Sequence, residues 1–262
     1  MTVVLSVFNQ AGGVGKTTLV QNLAYHLGQQ PLRVLAIDID PQSSLTTFMG
    51  LNPSHLEKTI YQSLIGDEPL HIHRNIHGVD LVPANMKLAD AEIQLVTADL
   101  REFRMKDALE PLLPDYDIVL VDCPPSLGLL SIISLVTSTH VLVPIETQFK
   151  AYAGTDLLLD TYRRITKRAN RKLQIAGFVP TMYNSRCSQD SRTYKAICSQ
   201  LAEVAEVFDP IARSTAFADA SENFLPLALY QPRHPSVAVL EKISRSLSAL
   251  CQPEKPTSLT AR

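Results

Sequence analysis

The 262-residue sequence has no tryptophan and only four cysteines. Cys123, Cys187, Cys198 and Cys251 form no CxxC pair and no metal-ligand spacing. A disulfide framework or a cysteine-built metal centre is therefore not expected, and a reducing cytoplasm is. No apolar run approaches the ~20 residues that a membrane span needs. Excess charge is missing too: 24 Lys and Arg face 26 Asp and Glu, for a formal net charge of −2. Bulk charge therefore draws no polyanion, and a nucleic-acid partner requires a local basic patch. No stretch rich in Pro, Gly or Ser divides the chain, and only 253–262 reads as a flexible tail. The opening MTVVLSVFNQ lacks a basic n-region and runs into a glycine loop, so it reads as a strand and not as a signal peptide.

What remains is an ordinary globular composition, 45% hydrophobic and 19% charged, enough for one α/β domain over residues 1–252. Apolar, β-branched runs at Val3–Phe8, Arg33–Ile37, Val79–Val82, Ile118–Val121, His140–Ile145, Ile175–Pro180 and Val204–Phe208 read as buried strands. Helical patterns lie near 16–27, 97–112, 151–169, 190–202 and 236–250. In the first, Leu19, Val20, Leu23, Ala24 and Leu27 share a face, with Gly28 as the expected C-cap. The alternation predicts a mostly parallel sheet flanked by helices on both faces.

The first strand runs into FNQAGGVGKTTL, which is strand, glycine loop and helix in register. The backbone N–H groups of Gly12, Gly13, Val14 and Gly15 can converge on phosphate oxygens at a helix N-terminus. Lys16 reaches the β- and γ-phosphates, Thr17 offers a hydroxyl to Mg²⁺, and Thr18 meets the α-phosphate. The usual spelling GxxxxGK[ST] would place glycine where this chain has Gln10. Three acids close apolar strands: Asp38 and Asp40 in LAIDIDPQSS, and Asp122 in IVLVDCPPSLG. Ligands of open α/β sheets bind beyond the carboxyl ends of the strands, so all three acids share the loop's edge. Asp122 fits a Mg²⁺-holding acid. Asp38 and Asp40 are candidates to position or polarise an attacking water and to order the metal's water shell.

NQAGGVGKTT, IDIDPQSS and VDCPPSLG together resemble the deviant Walker ATPases of the ParA/MinD family, to about residue 250. The resemblance implies a P-loop NTPase-like fold, ATP and Mg²⁺ as cofactors, and slow hydrolysis by a nucleotide-sandwich homodimer stimulated by a partner. It gives Lys16 and Thr17 to phosphate and Mg²⁺, Asp40 to the attacking water, and Asp122 to the Walker B position. It brings Pro210, in VFDPIARSTAFADASE, and Asn184, in PTMYNSR, close to the adenine. The family's loop reads KGGxxGK[ST], and its signature lysine falls at Ala11. In the family that lysine reaches the partner subunit's phosphates, which alanine cannot do. Three readings stay open: weak or absent activity, an engineered residue, or a substitute cation. Lys150, in PIETQFKAYAG, is the candidate substitute, against the plainer reading of a solvated lysine starting a helix. Loss of the signature lysine resembles the branch that distributes carboxysomes over the nucleoid with a small adaptor protein. Plasmid or chromosome partition, and a nucleotide-gated scaffold with little turnover, are the alternatives.

TYRRITKRANRK (161–172) holds six cations and no acid: Arg163, Arg164, Lys167, Arg168, Arg171 and Lys172. Such a run is ordinarily a solvated helix end. The family resemblance adds the alternative of non-specific double-stranded DNA binding through phosphate contacts, and hence association with the nucleoid. Arg186, Arg192, Lys195 and Arg213 are candidates to extend that surface. A membrane role is not expected, because 237–250 carries an ordinary core stripe and QPEKPTSLTAR has no apolar face. His71, His73 and His77 read as a solvated or locally bonded cluster, with no acids at ligand spacing.

Overall fold

The computed structural model describes residues 2–148 and 155–252. Among these, seven strands form one sheet. They are β1 (Val3–Val7), β2 (Val34–Asp38), β3 (His73–Ile76), β4 (Val79–Val82), β5 (Ile118–Asp122), β6 (His140–Glu146) and β7 (Gln174–Thr181). Their order is β3-β4-β2-β5-β1-β6-β7, parallel throughout except for the antiparallel edge pair β3–β4.

Strand alternation sends each strand to two cores. Val4, Leu35, Ile37, Val119 and Val121 face one side. That side is covered by α3 (Ile60–Gly66), α4 (Lys87–Leu95), α5 (Arg104–Leu109), α6 (Leu129–Thr137), α7 (Thr155–Arg168) and α8 (Ser188–Leu201). Val3, Leu5, Val34, Ala36 and Leu120 face the other. There lie α1 (Lys16–Gly28), α2 (Ser44–Phe48), α9 (Ala216–Glu222), α10 (Leu227–Tyr230) and α11 (Pro235–Ala249). Burial on both faces is why these strands read as nearly unbroken apolar runs.

Two readings need correction. Val204–Phe208 is not a strand. It makes a single parallel bridge, Val207 with Phe178, because Val204 and Glu206 face solvent and only Phe208 is buried. Gly28 is the last residue of α1, followed by Gln29 in right-handed conformation, so it is not a left-handed cap. It is small for another reason: a Cβ there would lie 2.8 Å from the Gly78 carbonyl oxygen.

Candidate functional site

The carboxyl ends of β1, β2 and β5 meet at one level, since Val7 pairs with Asp122 and Asp122 pairs with Asp38. The chain leaves β1 into 8–15. Gly13 (φ 76°) and Gly15 (φ 88°) take the left-handed backbone that side chains resist, and α1 begins directly after them. No side chain caps α1, so the N–H groups of its first turn point into the loop. Asn9 ties the loop to the sheet: its Nδ2 donates to the Pro144 carbonyl (2.7 Å) and its Oδ1 accepts from Ala11 N–H (2.9 Å). Thr181, at the end of β7, donates its hydroxyl to the Val14 carbonyl (2.9 Å). Gln10 Nε2 donates to Thr161 on α7 (3.0 Å).

Lys16 is buried and its Nζ donates to the Ala11 carbonyl at 2.8 Å. Burial lowers its pKa, opposed by Asp122, Cys123 and Asp40. The acids differ among themselves. Asp122 is fully buried, and neither carboxylate oxygen has a hydrogen-bond partner. Burial raises its pKa well above the usual carboxylate value, Asp38 adds to the rise, and the neighbouring Thr17 hydroxyl pulls the other way. Asp40 is raised by burial, with Lys16 and the Gln42 N–H opposing.

Asp38 is held inside the protein. Its Oδ2 accepts from the Thr46 N–H (2.8 Å) and the Thr46 hydroxyl (2.7 Å), and its Oδ1 accepts from the Asp40 N–H (3.1 Å). Burial pushes it up to about 6. With both oxygens accepting inside the protein, it positions the Asp40 turn and α2. The Thr46 hydroxyl in turn accepts from Ala84 N–H (2.9 Å), which fastens the end of β4 to the same network.

A cavity of about 120 Å³ opens beside the loop, between Gly15, Thr18 and Leu19 on one side and Ile211, Arg213 and Phe217 on the other. Pro210 is adjacent in sequence, but the lining falls on the residues that follow it. Phe217 and Leu240 also line it, and their spacing in the sequence carries no signal for that role. Asn184 lies in a separate recess with Gln148, Asp190 and Arg213. Lys150 lies outside the described residues.

The basic residues fall on two stretches of the chain. Arg163, Arg164, Lys167 and Arg168 are exposed on α7, with Arg171 and Lys172 exposed just before β7. Arg186 and Arg213 follow the far end of β7, eight residues or about 25 Å along the strand. Arg213 pairs with Glu146 (3.1 Å) and borders the cavity, so it belongs to the loop's edge of the sheet. His71 and His73 stack edge to face at 5.2 Å, and His77 bonds to the Phe224 carbonyl.

A family model described as an AAA domain matches residues 2–175. The chromosome partitioning protein ParA of Myxococcus xanthus is 32% identical over 257 residues, covering 97% of this chain and 90% of that one. The structure of a cobyrinic acid a,c-diamide synthase of Mycobacterium smegmatis, with bound ADP and magnesium, is 36% identical with a TM-score of 0.78, covering 85% of this chain and 92% of that one. The apo McdA of Cyanothece, at 23% identity and a TM-score of 0.83 over 94% of this chain and all of that one, shares the fold. A strand-loop-helix start with left-handed glycines, buried acids at the ends of adjacent strands and full-length ParA relatives agree: the chain belongs to the ParA/MinD family of P-loop ATPases.

Proposed function

We propose that the protein is an ATP-driven positioning ATPase that closes as a dimer around MgATP, binds double-stranded DNA without sequence preference, and is released when an adaptor stimulates hydrolysis. The observation that carries this reading is Asp122: a fully buried carboxylate, both oxygens unpartnered, beside Thr17 at the start of α1. An anion left so costs several kcal/mol unless a cation answers it, and Mg²⁺ with nucleotide is the cation the loop chemistry fits. Thr17 and Asp122 would hold the metal, which when bound supplies positive charge to the phosphates. The N–H groups of Gly12 to Thr18 and Lys16 grip the phosphates. Asp40 orients the attacking water. The apolar cavity beside Ile211 and Phe217 takes the base, and Pro210 adjoins that lining in sequence. Lys150 is the candidate to serve the partner's phosphates in place of the missing lysine at Ala11.

The exposed cations of α7 support DNA binding through phosphates. The ParA relative supports partition as the task, and the absent signature lysine supports carboxysome distribution; both stand. The test is steady-state ATP turnover with and without double-stranded DNA, and with no carboxylic acid or ammonia donor present. Turnover should need Mg²⁺ and fall at least about 100-fold in Asp40→Ala while nucleotide binding persists. Binding without turnover leaves a nucleotide-gated scaffold. Turnover that requires a carboxylic acid and an ammonia donor instead identifies an amide-forming ligase. For DNA, Arg164→Glu with Lys167→Glu should abolish ATP-dependent binding at low salt; unchanged affinity removes α7 from the interface.

A further inference from the structure

Three of the residues that line the cavity beside the phosphate loop carry hydroxyls: Thr18, Thr181 and Ser214. Thr181 gives its proton to the Val14 carbonyl (2.9 Å). Thr18 belongs to the first turn of α1, on the phosphate side. Ser214 stands on the opposite wall, between Arg213 and the start of α9. The Arg213 guanidinium is turned onto Glu146 (3.1 Å). What Ser214 can offer a ligand is fixed by the bonds it already makes.

A serine oxygen has one proton to give and two lone pairs to accept with. The Ala216 N–H donates to Ser214 Oγ at 3.2 Å. His234 Nε2 lies 3.1 Å from the same oxygen. The direction of this second bond is set on the far side of the ring. His234 caps α11, and its Nδ1 accepts from the Ser236 N–H (3.2 Å). A backbone N–H only donates, so Nδ1 is bare and the proton of the neutral imidazole sits on Nε2. A doubly protonated ring would set two N–H groups against each other there. His234 therefore donates to Ser214, and both lone pairs of the serine are taken. Phe217, itself in the cavity lining, packs edge to face on the His234 ring at 6.0 Å and holds its orientation. Only the Ser214 proton is left, and no acceptor among the described residues receives it.

We infer that Ser214 is a specificity-determining donor to a bare ring nitrogen of the adenine, and that His234 is the positioning residue that confines it to donating. A serine free to rotate can donate or accept and so discriminates little. One whose lone pairs are both occupied can only donate. It suits N1, N3 or N7 of adenine and rejects a ring N–H set against it, such as N1 of guanine or hypoxanthine, because two donors would then face each other. The inference rests on the reading that this cavity takes the base.

The full-length protein, with Mg²⁺ and a ribose-labelled fluorescent ADP, is titrated with ADP and with 1-deaza-, 3-deaza- and 7-deaza-ADP, each lacking one ring nitrogen. The diphosphates keep turnover out of the measurement. One of the deaza analogues should bind the wild type about 3- to 10-fold more weakly than ADP, the weight of one neutral hydrogen bond. Ser214→Ala, checked for folding by circular dichroism, should weaken ADP by the same factor and leave that analogue unchanged. Ser214→Thr keeps the hydroxyl and should retain the preference for ADP over that analogue. His234→Phe keeps a ring against Phe217 and removes both nitrogens. It should shrink that preference, whereas a merely structural histidine would weaken both nucleotides alike and so lose the positioning role. Unchanged ADP affinity in Ser214→Ala, or a loss that adds to that of every deaza analogue, overturns the inference. So does a loss shared only with 2′-deoxy-ADP, because the hydroxyl would then hold the ribose. In these cases nucleotide still binds and the ATPase reading stands. A wild type that binds neither ADP nor ATP defeats that reading and the inference together.

Discussion

The ends of β2 and β5 invite comparison because they are chemically alike and differently finished. Each strand closes on a fully buried aspartate, and the two stand opposite each other in register, Asp38 against Asp122. Asp38 receives three donors from Thr46 and Asp40. Asp122 receives none. A protein that only needed to seal the top of its sheet would have no reason to leave one carboxylate bare beside a satisfied one. The first aspartate is scaffold, holding the Asp40 turn and α2 at fixed height. The second is a buried carboxyl whose oxygens have no hydrogen-bond partner and whose pKa burial raises well above the usual value.

The sharpest way to break this contrast is Asp122→Asn. The amide is nearly isosteric, removes the buried charge and relieves its repulsion with Asp38. Mg²⁺-dependent turnover should fall by about 100-fold or more, the scale of losing one preorganised electrostatic element. The thermal midpoint of the nucleotide-free protein should rise. Activity and stability moving in opposite directions is the signature of a ligand-holding group. A variant that loses both stability and activity would make Asp122 a second scaffold acid.

The mirror experiment is Thr46→Val. It deletes the hydroxyl that donates to Asp38 and accepts from Ala84 N–H, leaving two buried groups short of a partner. Stability should drop by about 2–4 kcal/mol, measured by denaturant unfolding. Turnover per folded molecule should suffer less than in Asp122→Asn, because Asp38 accepts its hydrogen bonds from Thr46 and Asp40 inside the protein. If turnover falls as far as in Asp122→Asn with little loss of stability, Asp38 belongs to the chemistry after all.

The same contrast marks what the sequence reveals. The strand-loop-helix pattern and the aspartates closing apolar strands are local signals, and they place the loop, Lys16, Asp40 and Asp122 on one edge because a parallel sheet leaves no other choice. That Asp38 is satisfied is not local. It depends on Thr46, eight residues on, whose hydroxyl is itself held by Ala84 N–H just past β4. The edge strand His73–Ile76 escapes the pattern because His-Arg-Asn-Ile is polar and half exposed, held by pairing alone. Helix α6 escapes for the opposite reason: Leu-Leu-Ser-Ile-Ile-Ser-Leu-Val-Thr is apolar all round and shows no helical face. Val204–Phe208 has a strand's composition without the neighbour that would have made it one.

A pH series sharpens the pair itself. Asp38 is raised to about 6 and Asp122 is raised well above the usual value, so both are protonated more readily when folded than when unfolded. The sign follows: their contribution to stability is fully present below the unfolded carboxylate range and is lost as pH rises through the folded values. His26, which is buried, and His140, which is half-buried, have pKa values lowered by burial and act in the opposite direction in the same window. They cancel when Asp122→Asn is compared with the wild type at each pH. The stability advantage of the variant should therefore be larger at pH 7.5 than at pH 5.5, without Mg²⁺ or nucleotide. An advantage independent of pH means that relief of charge is not its source.

The smallest effect concerns how the loop is held between these two ends. Thr181 is buried at the end of β7, and its hydroxyl is the donor to the Val14 carbonyl. Thr181→Val keeps the shape and removes that one bond, for about 1 kcal/mol of stability. Val14 and Thr181 both line the cavity beside the loop, so the loss should appear as a several-fold weaker affinity for a fluorescent ATP analogue, with single-turnover hydrolysis at saturating nucleotide unchanged. That division separates shaping the loop from acting on the reaction. If the affinity is unaltered, Asn9 and the Lys16 bond to Ala11 hold the loop without help from β7, and the site's rigidity comes from the β1 side alone.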